Sequence, residues 1–318
     1  MAVWVIKQEK GLKWLEKTFI NFHFLSANMK IGTFIKIGSF PEEFWQGEFD
    51  FVRSLKKLGV AHLEISLQYP YTGPLTLKQE QIEKIKSLAD FEIILHPILS
   101  YDKAPEDLNG KKFDLASLDE NIKKFSIEEM TRVYDIAKKL NAKLITVHGG
   151  YCDSKGDYKK NLSALRKTLI ELSGKFPDVL LCIENLPFTG HFGMPIKEIP
   201  YYPEDLIFLT KGIANAGVTL DVGHANTVMN PVDFYKKLVA GTRVYNMHVH
   251  DNKGDKDDHL PLGKGNIDFE KLIQYLKETN YEGYFTVELD INWGHAKMPS
   301  QEERKSAIEF LDNLGRRT

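Results

Sequence analysis

Two rhythms of apolar and polar residues take turns along the chain. Short runs of branched and aromatic residues alternate with longer stretches in which apolar residues recur every three or four positions. These are the marks of strands and amphipathic helices. The short runs predict strands over 30–36 (KIGTFIK), 60–66 (VAHLEIS), 91–98 (FEIILHPI), 143–148 (KLITVH), 179–185 (VLLCIEN), 217–222 (GVTLDV), 243–250 (RVYNMHVH) and 284–289 (YFTVEL). Helical patterns lie between them, over 42–58, 76–88, 119–140, 157–175, 203–215, 231–240, 267–280 and 300–313. Several helices carry start signals: Pro41-Glu42-Glu43, Pro203-Glu204-Asp205, Asn230-Pro231, and Ser300 with Glu303 three residues on as a capping box. Gly59, Gly217 and Gly283 each precede a strand, where a left-handed residue closing the previous helix is expected.

Eight strands and eight helices in strict alternation predict an α/β fold, a single (β/α)8 TIM barrel, whose usual size is about 250 residues. A doubly wound sheet would open with a Gly-rich turn, and Lys36-Ile37-Gly38-Ser39-Phe40 is not one. The barrel is expected over 29–318, after an N-terminal extension, 1–28. That extension is apolar but broken by Lys and Glu, and it has no clear small-residue cleavage site. Met29 would make a natural start. The expectation is an appended segment, either a helix packed on the outside or a product of an upstream start, without chemistry of its own.

Composition narrows the partners. The chain has 318 residues, 42% of them hydrophobic, enough for one large core. A net charge of -2 gives no global basic field, so nothing advertises nucleic acid or an anionic membrane. No apolar run reaches the roughly 18–20 residues of a membrane span. The two cysteines, Cys152 and Cys182, make no disulfide framework, and a cytoplasmic location is the simplest expectation. The helices leave enough apolar residues outside for a homo-oligomer.

The chemistry concentrates where the strands end. In a TIM barrel the active site lies at the C-terminal ends of the strands. Here Glu64 sits on the second strand and His96 at the end of the third. His148 ends the fourth, Glu184 and Asn185 the fifth, and Asp221 the sixth, with His224 three residues on. The seventh strand puts His248 and His250 on one face, and its acidic loop carries Asp257 and His259. Glu288 ends the eighth. Six of the ten histidines belong to this set, and scattered histidines would not choose one end of successive strands. Taken singly, each has a plainer reading: His96 as a satisfied half-buried residue, Glu64 as a salt bridge at the barrel mouth, Asp257 as a solvated loop acid. Glu184, Asp221 and Glu288 resist that reading. Each follows an apolar run, so its carboxylate enters a partly dry mouth and needs a cation. His23, His191 and His295 fall in the tail or in loops, and His62 lies deeper on the second strand. The turn Gly263-Lys264-Gly265 offers a weak phosphate seat. Imidazole and carboxylate together suit Mn2+, Co2+ or Zn2+ better than Ca2+.

These motifs resemble the xylose-isomerase-like TIM-barrel superfamily, which includes sugar isomerases and epimerases and the endonuclease IV type of AP endonuclease. The resemblance covers about residues 30–313. It rests on His148-Gly149-Gly150, Ile183-Glu184-Asn185, Asp221-Val222-Gly223-His224-Ala225-Asn226, His248-Val249-His250-Asp251-Asn252 and His259-Leu260-Pro261-Leu262-Gly263-Lys264-Gly265. In the isomerase and epimerase branch it implies one divalent metal on Glu184, Asp221, either His248 or His250, and Glu288. The small-molecule substrate would be a sugar. The metal would act as a Lewis acid on its carbonyl, Glu184 and Glu288 would move the proton, and His224 would steady a hydroxyl. In the endonuclease IV branch it implies three zinc ions on His96, His148, Glu184, Asp221, His224, His248, Asp257, His259 and Glu288, with nucleic acid as partner. Two features count against that second branch. The loop 66–74 after the second strand has aromatics but no basic residue until Lys78, and Ile183-Glu184-Asn185-Leu186-Pro187-Phe188 departs from the Glu-Asn-Thr expected of the nuclease. Tyr69, Tyr71 and Phe188 suit stacking on a sugar as well as on a base. The sugar reading is therefore preferred, and a non-catalytic binding barrel ranks last because both Glu184 and Glu288 are present.

Overall fold

In the computed structural model the runs read as strands close on one another. Described are residues 2–9, 12–19, 29–37, 42–68, 77–98, 113–152, 157–188, 197–289 and 299–317. In chain order the strands are β1 (Ala2–Glu9), β2 (Leu12–Phe19), β3 (Lys30–Ile37), β4 (His62–Gln68), β5 (Glu92–Ile98), β6 (Leu144–Val147), β7 (Gly150–Cys152), β8 (Leu180–Glu184), β9 (Lys197–Ile199), β10 (Ala216–Asp221), β11 (Val244–Val249) and β12 (Tyr284–Val287). Eight of them form a closed barrel in the order β3-β4-β5-β6-β8-β10-β11-β12, parallel throughout, and β12 returns to pair with β3. The helices are α1 (Glu42–Leu55), α2 (Gln79–Lys86), α3 (Glu120–Leu140), α4 (Tyr158–Lys175), α5 (Pro203–Thr210), α6 (Val222–Asn226), α7 (Pro231–Val239), α8 (Phe269–Glu278) and α9 (Gln301–Arg317). The (β/α)8 expectation holds.

Three local readings need correction. The extension holds no helix in its described part: β1 and β2 pair as an antiparallel hairpin, in keeping with the β-branched and aromatic run Val3-Trp4-Val5-Ile6. Gly59 is left-handed (φ 79°), as expected, but Gly217 and Gly283 are not among the positive-φ residues. A Cβ on Gly217 would overlap the Tyr245 ring, and one on Gly283 would overlap the Tyr281 hydroxyl, so these two are close-approach glycines. Gly212 (φ 77°) supplies the left-handed turn after α5 instead. The short α6 is an extra turn at the end of β10. It starts because Asp221 caps it, accepting from the His224 N–H at 2.6 Å. The other caps stand: Asn230 accepts from Val232 and Asp233, and Ser300 and Glu303 bond reciprocally.

The period-two alternation of the strands sorts the barrel into two surfaces. Outward residues such as Leu63, Ile65, Ile145, Ile183, Leu220, Met247 and Val249 join one core with Val52 and Leu55 of α1, Val133 of α3 and Leu272 of α8. Inward residues are small or polar above an apolar plug of Ile94, Leu144 and Cys182. Low in the barrel His62 donates to Thr286 (2.8 Å), and burial lowers its pKa to about 4, which keeps it neutral. A buried bidentate pair of Arg304 with Glu48, 2.7 Å on each arm, ties α9 to α1. Among the described residues no helix is long and apolar enough to cross a membrane.

Outside the barrel, burial pushes Asp114 up to about 6, although its carboxylate accepts from the N–H groups of Ala116 (2.9 Å) and Tyr151 (3.1 Å). A folded pKa above the unfolded value means the native state holds the proton longer. Stability is therefore lost as pH rises from about 4 to about 6, by on the order of 3 kcal/mol in all. Asp114→Asn removes this titration. Its melting temperature relative to wild type is expected to climb between pH 4 and 6 and then level off, and a gap that stays constant over that range would contradict the assignment.

Candidate metal centre

The residues singled out at the strand ends gather at one end of the barrel, with Glu64 beneath the others. Glu184 occupies the middle, and its two oxygens face different neighbours. Oε2 is 3.1 Å from His148 Nε2 and 3.4 Å from His96 Nε2, while Oε1 is 3.1 Å from His248 Nδ1 and 3.6 Å from His224 Nδ1. The Nε2 atoms of His96 and His148 are themselves 3.0 Å apart. Glu288, just past β12, brings Oε2 to 2.8 Å from His248 Nδ1. Asp221 is buried, with Oδ2 4.0 Å from the same nitrogen. Among the described residues four groups of ligand atoms result, each within 4.8 Å: Glu184, Asp221, His248 and Glu288; His96, His148 and Glu184; His224, His250, Asp257 and His259; and, below these, Glu64, His96 and His248.

Depth separates His248 from His250, which the sequence left as alternatives. Both project from the same face of β11, but His248 joins the Glu184 and Glu288 carboxylates. One step higher, His250 Nε2 meets both oxygens of Asp221 (3.1 Å) and lies 3.5 Å from Asp257 Oδ1. Its ring stacks on His259 at 3.8 Å between centroids. Gly223 makes room for it, because a Cβ there would overlap the His250 ring.

Backbone clamps hold these side chains in place. The Asn185 amide donates to the Asp221 carbonyl (2.9 Å) and accepts from the Asp221 N–H (2.8 Å), and the Asn185 carbonyl accepts from His224 Nδ1 (2.8 Å). That leaves His224 Nε2 facing Asp257 at 3.3 Å. The loop after β11 is organised by Asp251. Its carboxylate accepts from the N–H groups of Asn252, Gly263, Gly265 and Ile267. The Gly263-Lys264-Gly265 turn is thus no phosphate seat: the chain's own carboxylate fills it. The folded loop returns Asp257 and His259 to the mouth, 3.0 Å apart, and His259 Nδ1 donates to the Glu288 carbonyl (3.3 Å). Phe188, read as a stacking residue, packs on Tyr201 and Tyr202. Tyr69, Tyr71, His23, His191 and His295 lie outside the described residues.

The donor set fits a divalent cation. Burial alone would raise the carboxyls of Glu184 and Asp221. The neighbouring imidazoles, His248 and His148 for the first and His224 and His250 for the second, hold both below the usual range. Burial alone would likewise lower the imidazoles. Instead Glu184 raises His96, Glu64 and Glu288 raise His248, and Asp221 and Asp257 raise His224 to about 10. Carboxylates packed this closely need positive charge, which protons or a metal can supply. Glu288 Oε2, buried, approaches His248 Nδ1 to 2.8 Å without the geometry of a hydrogen bond, and it faces the same point as Glu184, Asp221 and His248. The sequence reading placed Glu64 at the mouth. It lies fully buried under the site, with His248 Nε2 2.7 Å away. The inward phase of β4 was the available signal.

A family model described as xylose isomerase-like TIM barrel matches residues 52–314. An uncharacterized protein of Methanocaldococcus jannaschii is 31% identical over 228 residues, 69% of this chain and 70% of that protein. The fructoselysine 3-epimerase of Escherichia coli O157:H7 is 25% identical over 244 residues, 74% of this chain and 83% of that protein. Among solved structures, a D-tagatose 3-epimerase-like protein superposes with a TM-score of 0.64 at 24% identity, covering 90% of this chain and 97% of its own. Endonuclease IV from Thermus thermophilus superposes equally well, with a TM-score of 0.64 at 18% identity, covering 91% of this chain and 100% of its own. At these identities the two structures speak for the fold.

Proposed function

The chain belongs to the xylose isomerase-like TIM barrel family, and from that premise we propose that it is a divalent-metal-dependent isomerase or epimerase of a sugar, a sugar phosphate or a related polyol ketone. The observation that carries this reading is the meeting of Glu184 and Glu288 at one atom. They come from strands three places apart in the barrel, and both bring a carboxylate oxygen to His248 Nδ1, at 3.1 and 2.8 Å. Two carboxylates around one point are what transfer of a proton off and back onto a carbon requires. The likeness to fructoselysine 3-epimerase over three quarters of the chain supports the same class.

Glu184, Asp221, His248 and Glu288 would hold the ion, which supplies Lewis-acid polarisation of the substrate carbonyl when bound. Of these, Glu184 and Glu288 exchange the proton with the substrate carbon. His224, with Nδ1 tied to the Asn185 carbonyl, presents Nε2 as a donor to a substrate hydroxyl. Mn2+, Co2+ and Zn2+ suit this mixed shell. Residues 29–318 form the catalytic unit in this reading, and 1–28 an extension outside it.

One observation favours a second reading, a multi-zinc phosphodiesterase of the endonuclease IV kind. Two further groups, His96 with His148 and Glu184, and His224 with His250, Asp257 and His259, also converge. Metal content per chain, measured on protein purified without chelator, decides between the two together with two substrate assays. About one Mn, Co or Zn per chain, with interconversion of ketose epimers, is the expected result. Two to three zinc ions per chain with cleavage of abasic DNA would replace it by the second reading.

A further inference from the structure

Beneath the mouth lies a carboxylate to which the reaction assigns no step. Glu64, in the middle of β4, is wholly buried. Four donors from three other strands converge on it. Oε1 accepts from Thr146 Oγ1 at 2.9 Å and from His248 Nε2 at 2.7 Å. Oε2 accepts from Asn246 Nδ2 at 2.8 Å and from Thr286 Oγ1 at 2.9 Å. A fifth group, His96 Nδ1, lies 3.4 Å from Oε1 and makes no hydrogen bond of its own among the described residues. The arrangement is itself supported from below, since His62 Nε2 donates to Thr286. A carboxylate gripped on both oxygens by hydroxyl, amide and imidazole cannot rotate, and as an ionised acid it offers acceptors only.

Resting on the metal-site reading above, we propose that Glu64 is a positioning residue: it compels His248 to present Nδ1 to the carboxylates above. The argument is one of hydrogen-bond polarity. Nε2, 2.7 Å from a carboxylate engaged as an acceptor by protein donors, keeps its hydrogen; Nδ1 also faces carboxylates and donates while protonated, and it offers its lone pair when a cation replaces that proton. Nδ1 is the atom that faces Glu184 at 3.1 Å and Glu288 at 2.8 Å. His96 Nδ1 lies beside the same oxygen without a hydrogen bond to it, while its Nε2 faces Glu184 at 3.4 Å and His148 at 3.0 Å. One buried oxygen therefore aims His248 Nδ1 at the group of Glu184, Asp221 and Glu288. Glu64 is not part of the outer group of His224, His250, Asp257 and His259. Glu64 also stands within ligand distance of His96 and His248, but its oxygens are already engaged by protein donors, so it braces the ligands rather than joining them.

The test is titration of the metal-freed full-length protein with Co2+, reading the visible spectrum and the dissociation constant, with the melting curve recorded alongside. Glu64→Gln retains the size and an acceptor oxygen, but its amide nitrogen donates where the carboxylate accepted. Co2+ affinity is expected to fall about 10–100-fold, the usual effect of losing such a partner, with an altered ligand-field band. Glu64→Asp, which keeps the charge one methylene short, should fall in between, and it serves if the Gln variant does not fold. A lower melting temperature with unchanged affinity and spectrum would make Glu64 merely structural and overturn the proposal. Loss of one whole ion with an unaltered band from the rest would make it a ligand and overturn it equally. Wild-type protein that takes up no Co2+ would fail the metal reading itself, and the proposal with it, an outcome separate from the other two.

Discussion

Glu288→Gln is expected to leave the barrel intact and to lower turnover by about 10²–10⁴-fold, the range associated with loss of a positioned acid or base. The fold should tolerate the change because the backbone at this point is fixed independently of the side chain. The Glu288 N–H donates to the Val249 carbonyl at 3.1 Å, and the Glu288 carbonyl accepts from His259. Gln is nearly isosteric and can still face His248, but it can neither accept nor return a proton. Metal content separates two explanations of the loss. A variant that keeps its ion and loses turnover has lost its acid or base, whereas one that loses the ion has lost a ligand. Turnover near wild type would sink the assigned role.

The sequence disclosed most of the barrel because its two periods are strong and because each strand ends in a residue that oil cannot hold. Glu184, Asp221 and Glu288 were legible for the same reason: each closes an apolar run. What stayed hidden depends on three-dimensional approach rather than on pattern. His248 and His250 share one face of β11, and only the height of neighbouring strand ends assigns them to different groups. Gly217 and Gly283 look like helix-ending glycines but are there because a tyrosine side chain passes over each. The Gly263-Lys264-Gly265 turn has the look of an anion seat, and it is one, although the anion is Asp251 from the same chain. Glu64 has a plain sequence reading as a salt bridge at the barrel mouth, whereas its charge in the barrel interior is costly to bury. The four donors that offset this cost come from residues 82 to 222 positions away.

Glu184→Gln should be the more damaging of the two carboxylate changes, since Glu184 alone divides its oxygens between groups. Oε2 serves His96 and His148, while Oε1 serves His248 and His224. An amide presents one acceptor and one donor, so one of the two groups must face a misplaced N–H. Metal affinity is expected to fall, and turnover to reach background. The metal-free protein offers a check that does not pass through activity. Asp221, Asp257 and then Glu184 raise His224 to about 10 against an unfolded value near 6.5. A histidine raised in the folded state contributes stability that is full below the unfolded pKa and is lost as pH rises through the folded one. Removing the Glu184 charge removes part of that contribution. The melting gap between wild type and variant, both metal-free, should therefore be widest below about pH 6.5 and close toward about pH 10. A variant that retains wild-type metal content, or a gap that widens with pH, would show that Glu184 does not hold the centre together.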